Sequence, residues 1–141
     1  MGAAAETPDP SARSSTQTIL VVDDEVLIRT PVADFLRDCG FRVLEAGDGA
    51  QAVQLLQAMP DIDLVFSDVE MPGMNGFDLA TWVRQNRPGL VVVLTSGVAQ
   101  FANQAKNICK TGGPRFLHKP YVFTDLERQI RELLNAARRM P

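Results

Sequence analysis

Five polar side chains stand close behind short apolar runs. Asp23 and Asp24 follow Ile19-Leu20-Val21-Val22, Asp68 follows Leu64-Val65-Phe66, Ser96 follows Leu90 to Leu94, and Lys119 follows Arg115-Phe116-Leu117. Three carboxylates brought to one place repel one another and drive each other toward protonation unless a cation intervenes. Oxygen donors without histidine or cysteine suit a hard divalent ion. Mg2+ binds through one or two carboxylates and keeps positions open for water and phosphate oxygens. Asp23 or Asp24 taken singly could instead cap a helix, a role aspartate favours. Two adjacent acids with a third at another strand end make the cation reading the stronger one for the set. A lone lysine is ordinarily a solvated surface cation, but beside such a cluster Lys119 becomes a point-charge partner for a phosphoryl group. Ser96 is either a turn residue or, with Gly97 beside it, a hydroxyl with an open approach.

These residues meet only if the apolar runs are neighbouring parallel strands. Five runs read as strands: Ile19 to Val22, Phe41 to Glu45, Leu64 to Phe66, Leu90 to Leu94, and Arg115 to Leu117. Near-continuous apolarity is what strands covered on both faces require. Helical periods alternate with them. Ile28, Val32, Leu36 and Cys39 repeat at helical spacing around Pro31, which predicts a slight bend, and Gly40 supplies the stop. Further helices are expected from Gly49 to Met59, from Phe77 to about Asn86, and from Val98 to about Lys110, the last ended by Gly112-Gly113-Pro114. In the final helix Leu126, Ile130, Leu133, Leu134 and Ala137 share one face, and Thr124 with Glu127 has the spacing of a capping box. Strict alternation predicts an α/β doubly wound, five-stranded parallel sheet with helices on both faces. In such sheets ligands bind at the carboxyl ends of the strands, where the polar residues collect.

The chain has 141 residues, 14 basic and 17 acidic, and a net charge of −3. That length suits one domain able to bury a core without metal or disulfide staples. Mild acidity argues against a broad nucleic-acid or anionic-membrane surface, so no direct DNA binding and no membrane association are expected. Cys39 and Cys109 form no metal-ligand pattern and fit a reducing compartment. No apolar stretch approaches the roughly 20 residues of a membrane span, and no leader pattern opens the chain, so a cytoplasmic location is expected. Residues 1–17 are small, polar and Pro-containing and read as a disordered tail. Residues 18–138 are expected to form the domain and 139–141 its end, with no attached output unit expected within the 141 residues. His118, the single histidine, reads as a strand-edge residue, Trp82 as core or helix surface, and Lys106, Lys110, Arg138 and Arg139 as a solvated face. Neither GxGxxG nor GxxxxGK[ST] occurs, which disfavours nucleotide chemistry.

Four segments together carry a family resemblance: Val21-Val22-Asp23-Asp24-Glu25, Ser67-Asp68-Val69-Glu70-Met71-Pro72-Gly73-Met74-Asn75-Gly76, Thr95-Ser96-Gly97, and Phe116-Leu117-His118-Lys119-Pro120. In order and interval they resemble the flavodoxin-like (βα)5 receiver domain of two-component response regulators. The resemblance implies that Asp68 accepts a phosphoryl group, and that Asp23, Asp24, Asp68 and the carbonyl of Glu70 hold Mg2+. It further implies that Ser96 and Lys119 engage the phosphoryl group, and that Phe116 is the aromatic switch. The implied partners are a sensor histidine kinase or histidine phosphotransfer protein and a downstream protein target. Two features depart from the commonest pattern: Glu70 places a carboxylate two residues after Asp68, and Phe116 lacks the hydroxyl of tyrosine. An aspartyl-phosphate phosphatase is the competing enzyme reading. It would want a second acid/base aspartate where Glu70 stands and a cap insertion that the chain lacks. A scaffold of the same fold without chemistry is disfavoured by Asp24, Asp68 and Lys119 occurring together.

Overall fold

The computed structural model describes residues 16–97 and 115–139, with side chains through Ala137. The expected helix from Val98 to Lys110 and its Gly112-Gly113-Pro114 stop, Cys109, residues 1–15 of the expected tail, the Arg138 and Arg139 side chains and Met140-Pro141 lie outside the described residues. Among the described residues nine elements run β1 (Thr18–Val22), α1 (Val26–Asp38), β2 (Arg42–Ala46), α2 (Gly49–Ala58), β3 (Leu64–Asp68), α3 (Gly76–Asn86), β4 (Val91–Ser96), β5 (Arg115–His118) and α4 (Phe123–Arg139). The strands pair in the order β2-β1-β3-β4-β5, and every pairing is parallel.

Alternation along the strands divides the core into two layers. Leu20, Val22, Val65, Val92 and Leu94 point to one face, where Ala52 and Leu56 of α2 and Leu79 and Val83 of α3 cover them. Ile19, Val21, Leu64, Phe66 and Val93 point to the other, beneath Val32, Ala33 and Leu36 of α1 and Leu126, Ile130 and Leu134 of α4. Each of these large apolar side chains contributes about 1.5–3 kcal/mol by leaving water. The sheet is therefore doubly wound. From β1 the chain steps outward to β2 and then back across to β3, and the crevice between the ends of β1 and β3 is the topological switch point.

Several boundaries differ from the sequence reading for identifiable reasons. Phe41 precedes β2 instead of opening it: its N–H closes onto the Leu36 carbonyl at 3.2 Å, and its ring packs in the core beneath the Arg131 guanidinium. Strand β4 begins at Val91, because Leu90 turns back to bond the Arg87 carbonyl, and it continues through polar Thr95 and Ser96. Gln17, expected within the tail, already accepts the Arg42 N–H at 3.0 Å. Gly40 ends α1 with φ +100°, as its stop role requires, and Pro31 lies inside that helix. The expected capping box at Thr124 is displaced. The Val122 carbonyl accepts the Leu126 N–H, so the helix starts ahead of Thr124. A capping box does occur at α3, where Asn75 and Asp78 exchange bonds with each other's N–H, and Asp48 caps α2 through the Gln51 N–H at 2.7 Å.

Candidate functional site

The strand ends bring the polar residues of the sequence reading together. Asp23 follows β1, Asp68 closes β3, Ser96 closes β4 and Lys119 follows β5. Asp68 lies level with Thr95, and Ser96 with His118. One carboxylate oxygen from each of Asp23, Asp24 and Asp68 falls within 4.8 Å of the others. Asp23 and Asp68 are each only 5% exposed, whereas Asp24 and Glu70 are open to solvent. Lys119 reaches in from the far strand, its Nζ 3.6 Å from Asp68 Oδ1, while its own N–H donates to the Ser96 carbonyl at 3.1 Å.

The backbone beneath the site is tightly fixed. The Asp23 N–H donates to the Ala46 carbonyl at 3.1 Å, and Asp23 Oδ1 accepts the Glu25 N–H at 2.9 Å. Neither Asp23 nor Asp24 is the N-cap of α1: that position is Glu25, whose side chain makes no capping bond. The capping alternative for the acid pair is thereby removed. Under Asp68, the Val69 N–H donates to the Thr95 carbonyl, the Gly76 N–H to the Val69 carbonyl, and Ser67 Oγ to the Asp68 carbonyl, each at 2.9 Å. Gly76 is glycine for a steric reason, since a Cβ there would stand 2.6 Å from the Asp68 carbonyl oxygen. The loop from Val69 to Asn75 can therefore fold back directly against the end of β3.

The electrostatics match the geometry. Burial pushes the Asp68 carboxyl up from 3.8 to about 6; Lys119 pulls against that shift and Asp23 adds to it. Burial also raises Asp23, opposed by the Glu25 N–H and by Lys119. The Tyr121 hydroxyl, buried beside Asp23 and Asp68, is pushed up to about 12. Asp68 Oδ1 is buried with no hydrogen-bond partner, and Lys119 lies just beyond bonding distance. Buried carboxylate oxygens are normally satisfied. An orphaned oxygen among three clustered carboxylates is a donor arrangement that a hard cation fits, so the set suits Mg2+.

Ser96 is fully buried at the floor of this crevice. Phe116 is half-buried against the α2–α3 layer, its ring edge-on to His118 at 5.0 Å, and His118 itself is exposed as expected. Tyr121 and Arg29 escaped the sequence reading. Tyr121 stacks edge-on to Phe66 at 5.9 Å, and its place two residues after Lys119 was the available signal. Arg29 donates from Nη1 to the Asp23 carbonyl at 2.7 Å. An arginine less than two turns beyond the acid pair gives no distinctive pattern.

Comparison with known proteins agrees with this arrangement. The family described as "Response regulator receiver domain" matches residues 19–131. The transcriptional regulatory protein PdtaR of Mycobacterium tuberculosis is 36% identical over 110 residues, covering 77% of this chain and 52% of that protein. The sensor kinase CckA of Brucella abortus is 32% identical over 122 residues, 86% of this chain but 13% of the kinase. The chain thus spans about half the length of the curated regulator it matches, or less. Among solved structures, a CheY-like response regulator receiver domain protein from Methanospirillum hungatei superposes with a TM-score of 0.80 at 25% identity, covering 88% of this chain and 98% of that one. Response regulator TrrA of Thermotoga maritima, solved in complex with Mg(2+)-BeF, does so with 0.74 at 25% identity, covering 84% and 99%. A family match over residues 19–131 and a shared fold with solved receiver domains agree on one conclusion: the chain belongs to the response regulator receiver domain family.

Proposed function

We propose that Asp68 accepts a phosphoryl group from the phosphohistidine of a sensor histidine kinase or histidine phosphotransfer protein, and that the signal passes onward by protein contact. The observation that carries this is the orphaned Asp68 Oδ1, set among three clustered carboxylates with the Lys119 ammonium 3.6 Å away. Ionised Asp68 attacks phosphorus as the bond to the histidine nitrogen breaks. The imidazole leaves with that electron pair and takes up a proton, and Asp68 becomes an acyl phosphate. Asp23, Asp24 and Asp68, with the Glu70 carbonyl, would hold Mg2+, which when bound supplies charge neutralisation for the phosphoryl oxygens. Lys119 donates to those same oxygens from the β5 side, and Ser96 contributes its hydroxyl from β4. Phosphotransfer of this kind rests mainly on positioning and electrostatics, which the strand ends provide.

The rim of the crevice favours a protein donor. Leu27 and Ile28 near the start of α1 are 88% and 37% exposed. They line a cavity of about 540 Å³ whose lining also includes Pro31, Lys119, Tyr121 and Phe123. An apolar helix face seated there would bring its histidine toward Asp68. The signal leaves through Ser96 and Phe116: a phosphoryl group that draws the Ser96 hydroxyl inward frees space for the Phe116 ring to turn. With the phenyl of Phe116, the turned state gains burial but no hydroxyl bond.

The test is incubation with a labelled small-molecule acyl phosphate and Mg2+. One base-labile phosphoryl group per chain is expected, and none when the ion is chelated before the donor is added. Labelling of the Asp68→Asn chain at the wild-type rate would remove Asp68 from this role.

A further inference from the structure

The acid pair is held by something other than the strand that carries it. Beyond Val22 the chain leaves the sheet, and the main chain of Asp23 is gripped from two sides. Its N–H is bound by Ala46 at the end of β2, and its carbonyl by Arg29 Nη1 at 2.7 Å. Arg29 is itself clamped, with Nε 3.1 Å from Glu45 Oε1 and a side chain 17% exposed. Glu45 is fixed in turn by Arg37, whose Nη2 lies 3.1 Å from Glu45 Oε2 and also donates to the Val43 carbonyl. Gly47 leaves room for the guanidinium: a Cβ there would stand 3.3 Å from Arg29 Nη1. The planar fork of arginine suits this double engagement, one edge on a carboxylate and one nitrogen on a carbonyl, which lysine cannot reproduce.

We propose that Arg29, braced by Glu45, is a positioning residue that fixes the β1–α1 turn so that Asp23 and Asp24 converge with Asp68 on the cation. The proposal rests on the Mg2+ reading above. Arg29 touches neither the carboxylates nor the cation position; it acts through the Asp23 carbonyl. Without it the carbonyl turns toward water, and the two carboxylates sample orientations that no longer share a cation with Asp68. Groups that orient metal ligands from behind typically change metal affinity by about 10- to 100-fold when removed. Because this one acts on main chain only, the lower end applies.

The experiment is calorimetric titration of Mg2+ into the full unphosphorylated chain, with thermal melts and amide NMR spectra recorded without metal. Arg29→Gln should weaken Mg2+ binding about tenfold and move the metal-free amide resonances of Asp23, Asp24 and Glu25. Arg29→Lys should recover only part of the affinity. Arg37→Gln is the control for a purely structural role: it should lower the melting temperature while leaving Mg2+ affinity within about twofold, because the Arg29 to Asp23 bond survives. Unchanged affinity in Arg29→Gln, or an equal loss in Arg37→Gln, overturns the proposal. If Arg29→Gln does not fold, Arg29→Lys and Glu45→Gln decide, and wild-type affinity in both overturns it. Failure of the wild-type chain to bind Mg2+ at all would overturn the metal reading and this proposal with it.

Discussion

Replacing Asp68 with asparagine should stabilise the metal-free protein at alkaline pH, although it removes the group on which the proposed chemistry depends. The Asp68 carboxyl is pushed from 3.8 to about 6 by burial, against the pull of Lys119. A carboxyl that holds its proton more tightly when folded adds stability in full below about pH 4. That contribution is lost as pH rises through about 6. The interval is worth about 3 kcal/mol, at about 1.4 kcal/mol per pH unit. Asparagine matches the shape of the protonated acid but carries no charge to bury. At pH 8 in chelator, Asp68→Asn should therefore exceed wild type by about 2–3 kcal/mol, near 10 °C in melting temperature for a domain of this size. At pH 4 the two should nearly coincide. Asp23, itself raised by burial, adds to the Asp68 shift, so the difference between the two chains reads Asp68 together with its coupling to Asp23. Mg2+ at ten times its dissociation constant should return about 1.4 kcal/mol to wild type and less to the variant. Denaturant melts at pH 4, 6 and 8, with and without Mg2+, measure all of this. An Asp68→Asn chain less stable than wild type at pH 8 in chelator would refute the claim that Asp68 is a destabilising buried charge.

Lys119→Met removes the cation that pulls Asp68 down, so the carboxyl should titrate further above 6 and labelling by an acyl phosphate should slow about 100-fold or more; an unchanged pH–rate profile would exclude their coupling. Gly76→Ala forces a methyl against the Asp68 carbonyl oxygen and should destabilise the fold by about 1–3 kcal/mol with slowed labelling, read from denaturant melts and label counts. Ser96→Ala should still accept phosphate, more slowly, yet lose most phosphorylation-dependent NMR shifts at Phe116; full retention would cut the proposed link between phosphate and surface.

Much of the site was legible because its residues announce strand ends. A buried parallel strand is written as a contiguous apolar block, so the first one or two polar residues behind each block mark the carboxyl edge of the sheet. Asp23, Asp68 and Lys119 all lie there. What escaped was whatever depends on pairing between distant segments. Phe41 and Leu90 look like strand residues because they are apolar, but their backbones close turns, and the ladder is set by its partner strand and not by hydrophobicity. Thr95 and Ser96 stand behind the expected strand end at Leu94, yet they extend β4 because ladder bonds are indifferent to side chains. The Arg29–Glu45 brace joins α1 to β2 across 16 residues with no local pattern to reveal it. Asn75 was legible as part of a motif but not as a cap. The displaced start of α4 shows why spacing alone places a box poorly: Thr124 and Glu127 are correctly spaced, but the helix begins two residues too early for Thr124 to cap it.

The central claim, that Asp68 is the phosphoryl acceptor, is tested most directly by locating the group on the chain. After incubation with a phosphohistidine-bearing donor protein and Mg2+, borohydride reduction converts an acyl-phosphorylated aspartate to homoserine, and peptide mass spectrometry reads its position. The account predicts homoserine at position 68 alone, dependent on Mg2+ and missing from Asp68→Asn. Homoserine at Asp23 or Asp24, or at Glu70 the 5-hydroxynorvaline that a reduced glutamyl phosphate leaves, with position 68 intact, or no reduced residue anywhere after transfer has been seen, would contradict it.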